Sequence, residues 1–560
     1  MLAVDDPPQH DWEPGGLDEE DVMSPRVGRY RITPGSLLFA RLLLMMMIVG
    51  VVSCRTPALV PPEEGGHPWS ELRSPRFVLY TNLSPAKGEV LIQEFERTSA
   101  ALRQLAFRYP TEPREPTVII SFRSQKGYRE VAPEGAAAFF RPSSDPKVPT
   151  IFLEGEVTDS ARSVIQHEFT HRLLNFYVPG APLWLHEGLA GYFETLDVKS
   201  GKAVLGRYPN HKWLFRPGSV WEADTSRLVR RIIVPTAAIP SPAELLTTSP
   251  ADFHVRETTD PNDTRHEYQR VTANYAGAWA LVHTLMQSPG YSERFNRFMT
   301  LLAQASASSS AWEEAFRGVD LESLGADVGT TLASREVITL QTDFSPPEVK
   351  IEATRTLSPS EVHLLWASVL PVEQARLEVG QALVLEPRST EALLSKAHIR
   401  SADGDPEGAL ETVLEALETD STNERCLLFL FELQLASASE REPGPTRWAE
   451  VDALAPALRA QASLAPSFAA LARLALLRGA FDDAIDLAAE AVDRDFSCWR
   501  CMDTLASAIA GKGAFRHALD VQTIAVNITP EGYADDALLQ RWELYKALAE
   551  TTPEDEAAQE

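Results

Sequence analysis

The pattern of apolar and polar residues in the first half of the chain predicts both strands and helices. Runs rich in β-branched and aromatic residues predict strands over 76–81, 117–122 and 150–154. Apolar residues at helical spacing predict an amphipathic helix over 86–107, and a second helix is expected over 184–194. We therefore expect this half of the chain to form an α+β domain.

The second half is rich in Ala, Leu and Glu and contains a repeat. Ala375 and Ala409 are 34 residues apart, as are Ala484 and Ala518, and each is followed by another alanine seven residues later. A pair of helices that repeats at this interval has the tetratricopeptide (TPR) period, in which small residues allow paired helices to approach closely. We therefore predict an all-α TPR-like solenoid of about five units, with a degenerate unit around 453–460. Such a solenoid usually binds a peptide or protein partner in its groove, and the alternative is a passive stabilising appendage.

These patterns divide the chain into segments. They are an acidic prefix and lipoprotein-type signal segment (1–54), a linker (55–70), the α+β domain (71–340), a second linker (341–356), the TPR-like repeats (357–548) and an acidic tail (549–560). The first linker is rich in Pro, Gly and Glu, and Pro346 and Pro347 mark the second.

One motif in the α+β domain carries chemistry. If this stretch is helical, His167 and His171 lie one turn apart on the same face and aim at one point in space. Two imidazoles at this spacing supply two of the three protein ligands of a catalytic zinc, and Glu168 between them can act as a general base. Glu187 is the natural candidate for the third ligand, because a Pro- and Gly-containing loop allows the next helix to turn back.

This arrangement resembles a known family. The motif His167-Glu-x-x-His171, followed by Glu187 in a Pro-x-Trp-x-x-Glu-Gly-x-Ala segment, is similar to the gluzincin metallopeptidases, in particular the bacterial peptidase-MA-like group. The resemblance covers about half of the chain and implies a zincin-like metallopeptidase domain that cleaves a peptide or protein substrate. By position it implies that His167, His171 and Glu187 are zinc ligands and that Glu168 is the catalytic base.

The sequence leaves alternatives at this site. Some thermolysin-like enzymes carry a carboxylate one turn after the third ligand, but Gly191 stands there, so either Glu194 or backbone carbonyls would orient the histidines. Two imidazoles and a carboxylate favour zinc without excluding manganese or cobalt. The competing function is a catalytically inactive envelope scaffold that binds proteins through its solenoid, although the intact Glu168 argues against loss of activity.

Tyr275, Trp279 and His283 recur every four residues and would lie on one face of a helix. A hydroxyl or imidazole there could stabilise the oxyanion that forms when water attacks a carbonyl. Gluzincins commonly place a Tyr or His in this role, which makes Tyr275 our candidate. The alternative is an aromatic stripe in the domain core.

The N-terminal segment has the order of a secretory signal. Several arginines precede a short apolar core, 42–52, that does not span a bilayer comfortably. The residues that end at Cys54 resemble a bacterial lipobox, in which the cysteine is lipidated. This implies a lipid-anchored protein of the bacterial cell envelope, on the periplasmic or outer-membrane side. Because an acidic prefix is unusual for a signal, we hypothesise that translation starts at Met23; the competing interpretation is an uncleaved signal anchor.

Charge and cysteine content add two constraints. The net charge of -27 argues against a nucleic-acid partner, which would require a basic surface. Cys498 and Cys501 stand one turn apart in a predicted repeat helix, where we expect packed thiols, with a disulfide as the alternative. Cys426 is expected in the core.

Overall fold

The computed structural model describes residues 59–107, 116–132, 138–141, 150–209, 221–225, 228–232, 238–248, 250–253, 261–334, 337–439, 445–529 and 536–551. The expected signal segment with Cys54, and residues 552–560 of the expected acidic tail, lie outside the described residues. Within the described ranges, every helix is too short or too polar to cross a membrane.

The secondary structure changes character along the chain, from mixed strands and helices to helices alone. The strands are β1 (Ser70–Arg73), β2 (Phe77–Thr81), β3 (Thr117–Phe122), β4 (Ala138–Arg141), β5 (Thr150–Glu154), β6 (Asp197–Lys199), β7 (Lys202–Leu205), β8 (Trp221–Thr225), β9 (Leu228–Ile232), β10 (Leu340–Asp343) and β11 (Ala353–Thr356). The helices among them are α1 (Pro85–Leu105), α2 (Gln125–Arg129), α3 (Asp159–Tyr177), α4 (Leu183–Phe193), α5 (Pro242–Thr247), α6 (Pro250–Phe253), α7 (Pro261–Gln287), α8 (Pro289–Ala303), α9 (Ser308–Ala315) and α10 (Leu321–Ala333). The later helices are α11 (Pro359–Ala367), α12 (Val372–Leu385), α13 (Thr390–Ala402), α14 (Pro406–Thr419), α15 (Glu424–Ala438), α16 (Pro445–Gln461), α17 (Ala465–Leu477), α18 (Phe481–Arg494), α19 (Trp499–Gly511), α20 (Phe515–Ile528) and α21 (Asp536–Thr551).

The largest sheet of the described residues has six strands in the order β11-β1-β2-β3-β5-β4. The strands β2, β3 and β5, which the sequence predicts, pair in parallel. The remaining strands pair antiparallel, β1 with β2, β11 with β1 and β4 with β5. In the described part of the chain, β4 therefore forms the edge next to β5.

Alternate residues of β3 serve opposite faces of this sheet. Ile119 belongs to the core that contains the apolar side chains of α1, α3 and α4, whereas Ile120 and Phe122 pack with Trp366 of α11. Helices α1, α3 and α4 thus cover one face of the sheet, and α11 of the solenoid covers the other together with Tyr128 of α2.

The described helices after residue 358 form five successive pairs, α11 with α12, α13 with α14, α15 with α16, α17 with α18 and α19 with α20, followed by α21. The period is regular: α12 and α14 begin at Val372 and Pro406, and α18 and α20 at Phe481 and Phe515, 34 residues apart in each case. The repeat alanines are buried, as close helix packing requires. The predicted all-α TPR-like solenoid is confirmed, and α16 contains the degenerate unit around 453–460.

The segments expected to be linkers carry regular structure. The first contains a short 3-10 turn, Pro62–Glu64, and the first residue of β1. The second, 341–356, contains most of β10 and all of β11, which pair with β7 and β1. The solenoid is consequently joined to the sheet through a hydrogen-bonded strand.

His363 ties the first solenoid pair to the chain that precedes the sheet. Its Nδ1 lies 2.5 Å from Glu378 of α12, its Nε2 lies 2.6 Å from Glu63, and the ring is buried. Burial by itself lowers the pKa of His363, but the hydrogen bonds and charges of Glu378 and Glu63 outweigh it and raise the pKa above its ordinary value. The contact is therefore strongest with the imidazole protonated.

The far end of the solenoid also contacts the α+β part. Gly180, in the loop between α3 and α4, has a φ of +80°, and a Cβ atom there would lie 2.4 Å from the carbonyl oxygen of Asn527 in α20. The Asn527 side chain donates a hydrogen bond to the Ala305 carbonyl at 2.9 Å, and Met502 and Ile528 pack around Ala305. The solenoid thus touches the α+β part near both of its ends.

We predict that His363 makes stability fall with rising pH. A histidine whose folded pKa is raised stabilises fully below its unfolded pKa of roughly 6.5, and this contribution is lost as pH rises through the folded value. The difference in the free energy of unfolding between the wild type and His363→Gln, measured by urea unfolding, should therefore shrink as pH rises above roughly 6.5. His398 is a suitable control, because burial lowers its pKa to about 4 and so moves its titration below pH 6.5. A gap that stays constant between pH 6 and pH 9 would contradict the assignment.

We predict that Gly180→Ala loosens the contact between α20 and the α3–α4 loop. The new methyl group would meet a backbone oxygen that cannot rotate away, so we expect a loss of roughly 1–3 kcal/mol beyond the cost of the left-handed backbone itself. Gly201→Ala is the matched control, since Gly201 has a φ of +75° and nothing within 4 Å of a built Cβ. Equal destabilisation of the two variants in chemical unfolding would show that the Gly180 contact adds nothing.

Candidate metal centre

Helix α3 carries the first two residues of the site. Thr158 caps its N-terminus by accepting a hydrogen bond from the Ala161 N–H, and Phe169 packs against Phe77 of β2 with ring centroids 5.3 Å apart. This packing fixes the rotation of the helix. His167 and His171 then lie on successive turns, with ring centroids 4.8 Å apart, as their spacing predicts.

Helix α4 returns alongside α3 and brings Glu187 to both histidines. The Glu187 Oε2 atom lies 3.3 Å from His167 Nε2 and 3.6 Å from His171 Nε2. One possible ligand atom from each of the three residues lies within 4.8 Å of the other two. Two atoms bound to a tetrahedral zinc at roughly 2.1 Å lie about 3.4 Å apart, so the two distances from Glu187 match the spacing of zinc ligands.

Glu194 stands behind His167. Its Oε2 atom lies 3.0 Å from His167 Nδ1, and its side chain is fully buried at the C-terminal end of α4. A carboxylate on Nδ1 fixes the ring orientation and leaves Nε2 directed at Glu187. Of the alternatives that the sequence leaves open for orienting the histidines, the structure thus supplies Glu194 for His167.

Burial and charge act in opposite directions at His167. Burial lowers its pKa, but the hydrogen bonds and negative charges of Glu187 and Glu194 outweigh it and raise the pKa well above the ordinary value. The two carboxylates therefore favour positive charge at this place. His186, which precedes Glu187 in α4, differs: burial lowers its pKa to about 4, so it is neutral at pH 7.

Glu168 lies beside the two histidines and faces the edge strand. Burial raises its pKa to about 7, with Glu187 and Glu194 acting in the same direction and the charge of His167 and the backbone N–H of Phe140 acting against it. The hydrogen bond from Phe140 links this carboxylate to β4. A carboxyl group with a pKa near neutrality suits proton transfer at physiological pH.

Neither β4 nor the contact of Phe140 with Glu168 can be predicted from the sequence. The contact is made by a backbone N–H, which leaves no signature in residue type. The only available signal is the short apolar run at 138–140, and a run of this length does not reveal which strand forms an edge.

A close approach of α4 and α7 brings Tyr275 into the site. A Cβ atom at Gly188 would lie 2.5 Å from the carbonyl oxygen of Ala278 and 2.5 Å from a methyl group of Val282. Only glycine allows the two helices to pack at this distance. The Tyr275 hydroxyl, on the same face of α7, donates a hydrogen bond to Glu187, and burial with the nearby Glu187 and Glu168 charges raises its pKa well above the ordinary value.

The other two residues of the predicted stripe belong to the core. Trp279 is buried and packs against His283 with ring centroids 5.2 Å apart, and His283 Nε2 lies 2.9 Å from the Ile338 carbonyl oxygen. Of the three positions, the structure brings Tyr275 to Glu187 and Glu168, whereas Trp279 and His283 follow the alternative of a core stripe.

The three cysteines among the described residues belong to the solenoid. Cys498 and Cys501 form a disulfide, so the alternative stated from the sequence replaces the expected packed thiols. Cys426 is a free, buried cysteine, as expected.

The chain is similar to several solved structures, each at low sequence identity and over about a third of its length. No family model matches the chain, and no curated protein matches it. The solved structure of PilF from Pseudomonas aeruginosa is similar at 15% identity, over 34% of this chain and 82% of that chain, with a TM-score of 0.28. TTC0263, a thermophilic TPR protein in Thermus thermophilus, is 19% identical over 34% of this chain and 98% of its own, also with a TM-score of 0.28. The TPR protein YrrB is 16% identical over 31% of this chain and 84% of its own, with a TM-score of 0.25.

We predict that Gly188→Ala separates α4 from α7. The added methyl group would meet both a backbone oxygen and a side chain, and we expect a loss of roughly 1–3 kcal/mol in the free energy of unfolding. Gly277→Ala on α7 is the matched control, because its Cβ would meet only side-chain atoms at 3.2–3.4 Å. Both changes gain about 1 kcal/mol of helix propensity, so the difference between them isolates the contact. A Gly188→Ala protein as stable as the control would contradict the close approach.

Proposed function

We propose that the protein is a zinc-dependent hydrolase of peptide bonds whose TPR-like solenoid binds a protein partner or the substrate. The observation that carries this proposal is the convergence of His167, His171 and Glu187 at the spacing of zinc ligands. The buried Glu194 behind His167 adds the hydrogen bond that zinc-bound histidines usually have. In sequence, the same residues carry the resemblance to gluzincins.

His167, His171 and Glu187 would hold the zinc ion. When bound, zinc acts as a Lewis acid that polarises a carbonyl and lowers the pKa of water. Glu194 would keep the His167 ring oriented, and the two carboxylates would balance the added positive charge. The donor set is also compatible with manganese or cobalt.

Glu168 would be the general base. Its carboxylate would take a proton from the attacking water and deliver it to the leaving amine. Burial raises its pKa to about 7, which suits both steps at physiological pH. The Phe140 N–H keeps the carboxylate next to β4. Because β4 lies at an edge of the described sheet, its outward backbone groups other than the Phe140 N–H would bind an extended substrate by strand pairing.

Tyr275 would assist at the carbonyl. Its hydroxyl donates a hydrogen bond to Glu187 and is close to Glu168. A small rotation would direct it at an oxyanion formed beside these residues. The strongly raised pKa keeps the phenol protonated, as a hydrogen-bond donor must be.

The second candidate function is a catalytically inactive scaffold that binds proteins. The specific support for it is the repeat array itself, which occupies five described helix pairs. Apolar side chains also remain exposed on the solenoid, among them Leu377 at 70% and Val384 at 75% on one face of α12. Protein binding through the repeats belongs to both proposals, so catalysis is the point that separates them.

We also propose that the protein is anchored in the bacterial envelope through a lipid on Cys54. This rests on the sequence of the signal segment alone, because Cys54 lies outside the described residues. A mass of the mature N-terminal peptide that includes an acyl-modified Cys54 would support the proposal, and an unmodified, uncleaved N-terminus would oppose it. We propose no nucleic-acid partner, in view of the net charge of -27.

We predict that Glu168→Gln abolishes turnover while zinc stays bound. Loss of a general base typically costs roughly 10²–10⁴ in rate, and the amide keeps the size of the side chain. Hydrolysis of a fluorogenic peptide library and zinc content should be measured on the same samples. Glu156→Gln is the control, because Glu156 is an exposed acid paired with Lys87. Unchanged turnover in Glu168→Gln would refute the assigned base, and a zinc-loaded wild type without any turnover would favour the scaffold.

We predict that Glu194→Gln weakens zinc binding without unfolding the protein. An amide can still reach Nδ1 of His167 but lacks the charge, and losses of such partners typically cost roughly 10–100-fold in metal affinity. Competition with a fluorescent chelator would measure the change. Glu96→Gln serves as the control, since Glu96 is equally buried but pairs with Arg76. An affinity equal in both variants would show that Glu194 has no role at the metal.

A further inference from the structure

The disulfide between Cys498 and Cys501 occupies the first turn of α19. Cys498 is the N-cap residue, and its sulfur accepts a hydrogen bond from the Cys501 N–H at 3.2 Å. The two residues differ in environment, because Cys498 is partly exposed whereas Cys501 is fully buried. An attacking group from solvent would therefore meet Cys498 first.

This bond does little as a structural link. Both cysteines belong to one turn, which is already closed by hydrogen bonds from the N–H groups of Cys501 and Met502 to the Cys498 carbonyl, at 3.0 and 3.2 Å. The entropy that a disulfide removes from the unfolded chain falls as the closed loop shortens, and this loop is among the shortest possible. The bond also joins no two helices.

The equivalent turns of the other repeats fold without it. One repeat earlier, Leu464 and Ser467 occupy the cap and the buried position of α17. In α15 the pair is Asn423 and Cys426, where Asn423 Oδ1 accepts from the Cys426 N–H at 3.1 Å and the Cys426 side chain is fully buried. This turn therefore forms in other repeats without a second cysteine and, at Leu464, without a side-chain cap, so the Cys498–Cys501 bond is not needed to form it.

The position suits sulfur chemistry. The N-terminus of an α-helix carries partial positive charge and unpaired N–H groups, which stabilise a thiolate on the cap residue. The helix α19 has 13 residues and the sulfur of Cys498 already receives one of its N–H groups. A thiolate released at Cys498 would thus be stabilised where it forms.

We propose that Cys498 and Cys501 form a thiol–disulfide exchange site that is reduced by a protein dithiol. A thiolate of the partner attacks the Cys498 sulfur, the bond to Cys501 breaks, and Cys501 leaves as a thiolate that takes up a proton. The second thiol of the partner then loses its proton and attacks the partner's first sulfur in the mixed disulfide. This releases Cys498 as a thiolate at the helix N-terminus. Two electrons pass to the solenoid, and the partner becomes a disulfide.

Peptide mapping tests the proposal on the full chain under native conditions. Trypsin cleaves after Arg500, so the disulfide joins the peptides 495–500 and 501–512, and its reduction is read from the loss of the joined mass. We expect millimolar dithiothreitol to reduce the bond in the folded protein within minutes, with an unchanged circular dichroism spectrum. A disulfide that is reduced only after denaturant is added would overturn the proposal.

The Cys501→Ser variant identifies the reacting sulfur. With oxidised glutathione as the probe, we expect a mixed disulfide at Cys498 that forms at least tenfold faster than one at Cys426. Cys426 is the matched control, because it occupies the buried position equivalent to Cys501 and burial raises its pKa to about 12. Modification of Cys498 at a rate no higher than that of Cys426 would overturn the assignment. The wild-type reduction experiment needs no variant, so a folding defect in Cys501→Ser would leave the proposal testable.

Discussion

The close approach of α4 to α7 at Gly188 is the constraint on which the site depends. It buries Glu187 and Glu194 in an apolar core. An unpaired carboxylate there destabilises the fold, so other polar groups must lie close enough to pair with both. His167, His171 and Tyr275 are those groups. The geometry of the candidate metal centre follows from satisfying two buried acids among packed helices, and not from any loop that could adopt several conformations.

The same logic connects the site to the sheet. α3 carries both histidines and Glu168, and it packs on the sheet through Phe169, so the orientation of the helix is set by the core. On the opposite face of the sheet, Trp366 of α11 packs against Trp69, with ring centroids 6.4 Å apart. The solenoid therefore completes the covering of the sheet and also contacts the loop between the two helices that carry the proposed metal ligands. A partner bound to the repeats would act on a structure that is in physical contact with the loop that joins these two helices.

Much of this could be predicted from the sequence, and the limits have physical causes. The spacing of His167, His171 and Glu187 predicts their convergence because helical geometry and one turn determine it. The TPR-like period could be predicted because close helix packing selects alanine at fixed positions, and Ala484 and Ala518 are indeed fully buried. The edge strand could not be predicted from the sequence, since β4 is four residues long and its contact with Glu168 uses a backbone N–H. The disulfide was the weaker alternative from sequence, because the position of Cys498 at a helix cap depends on a boundary that patterns locate only to within a few residues.

The most direct test of the account is the zinc content of the purified chain, measured by mass spectrometry after dialysis against a zinc buffer. We predict one zinc per wild-type chain, and none in His171→Ala or Glu187→Ala proteins that keep the wild-type circular dichroism spectrum. A folded wild-type chain without zinc, or variants that retain it, would contradict the assignment of these three residues as a metal centre.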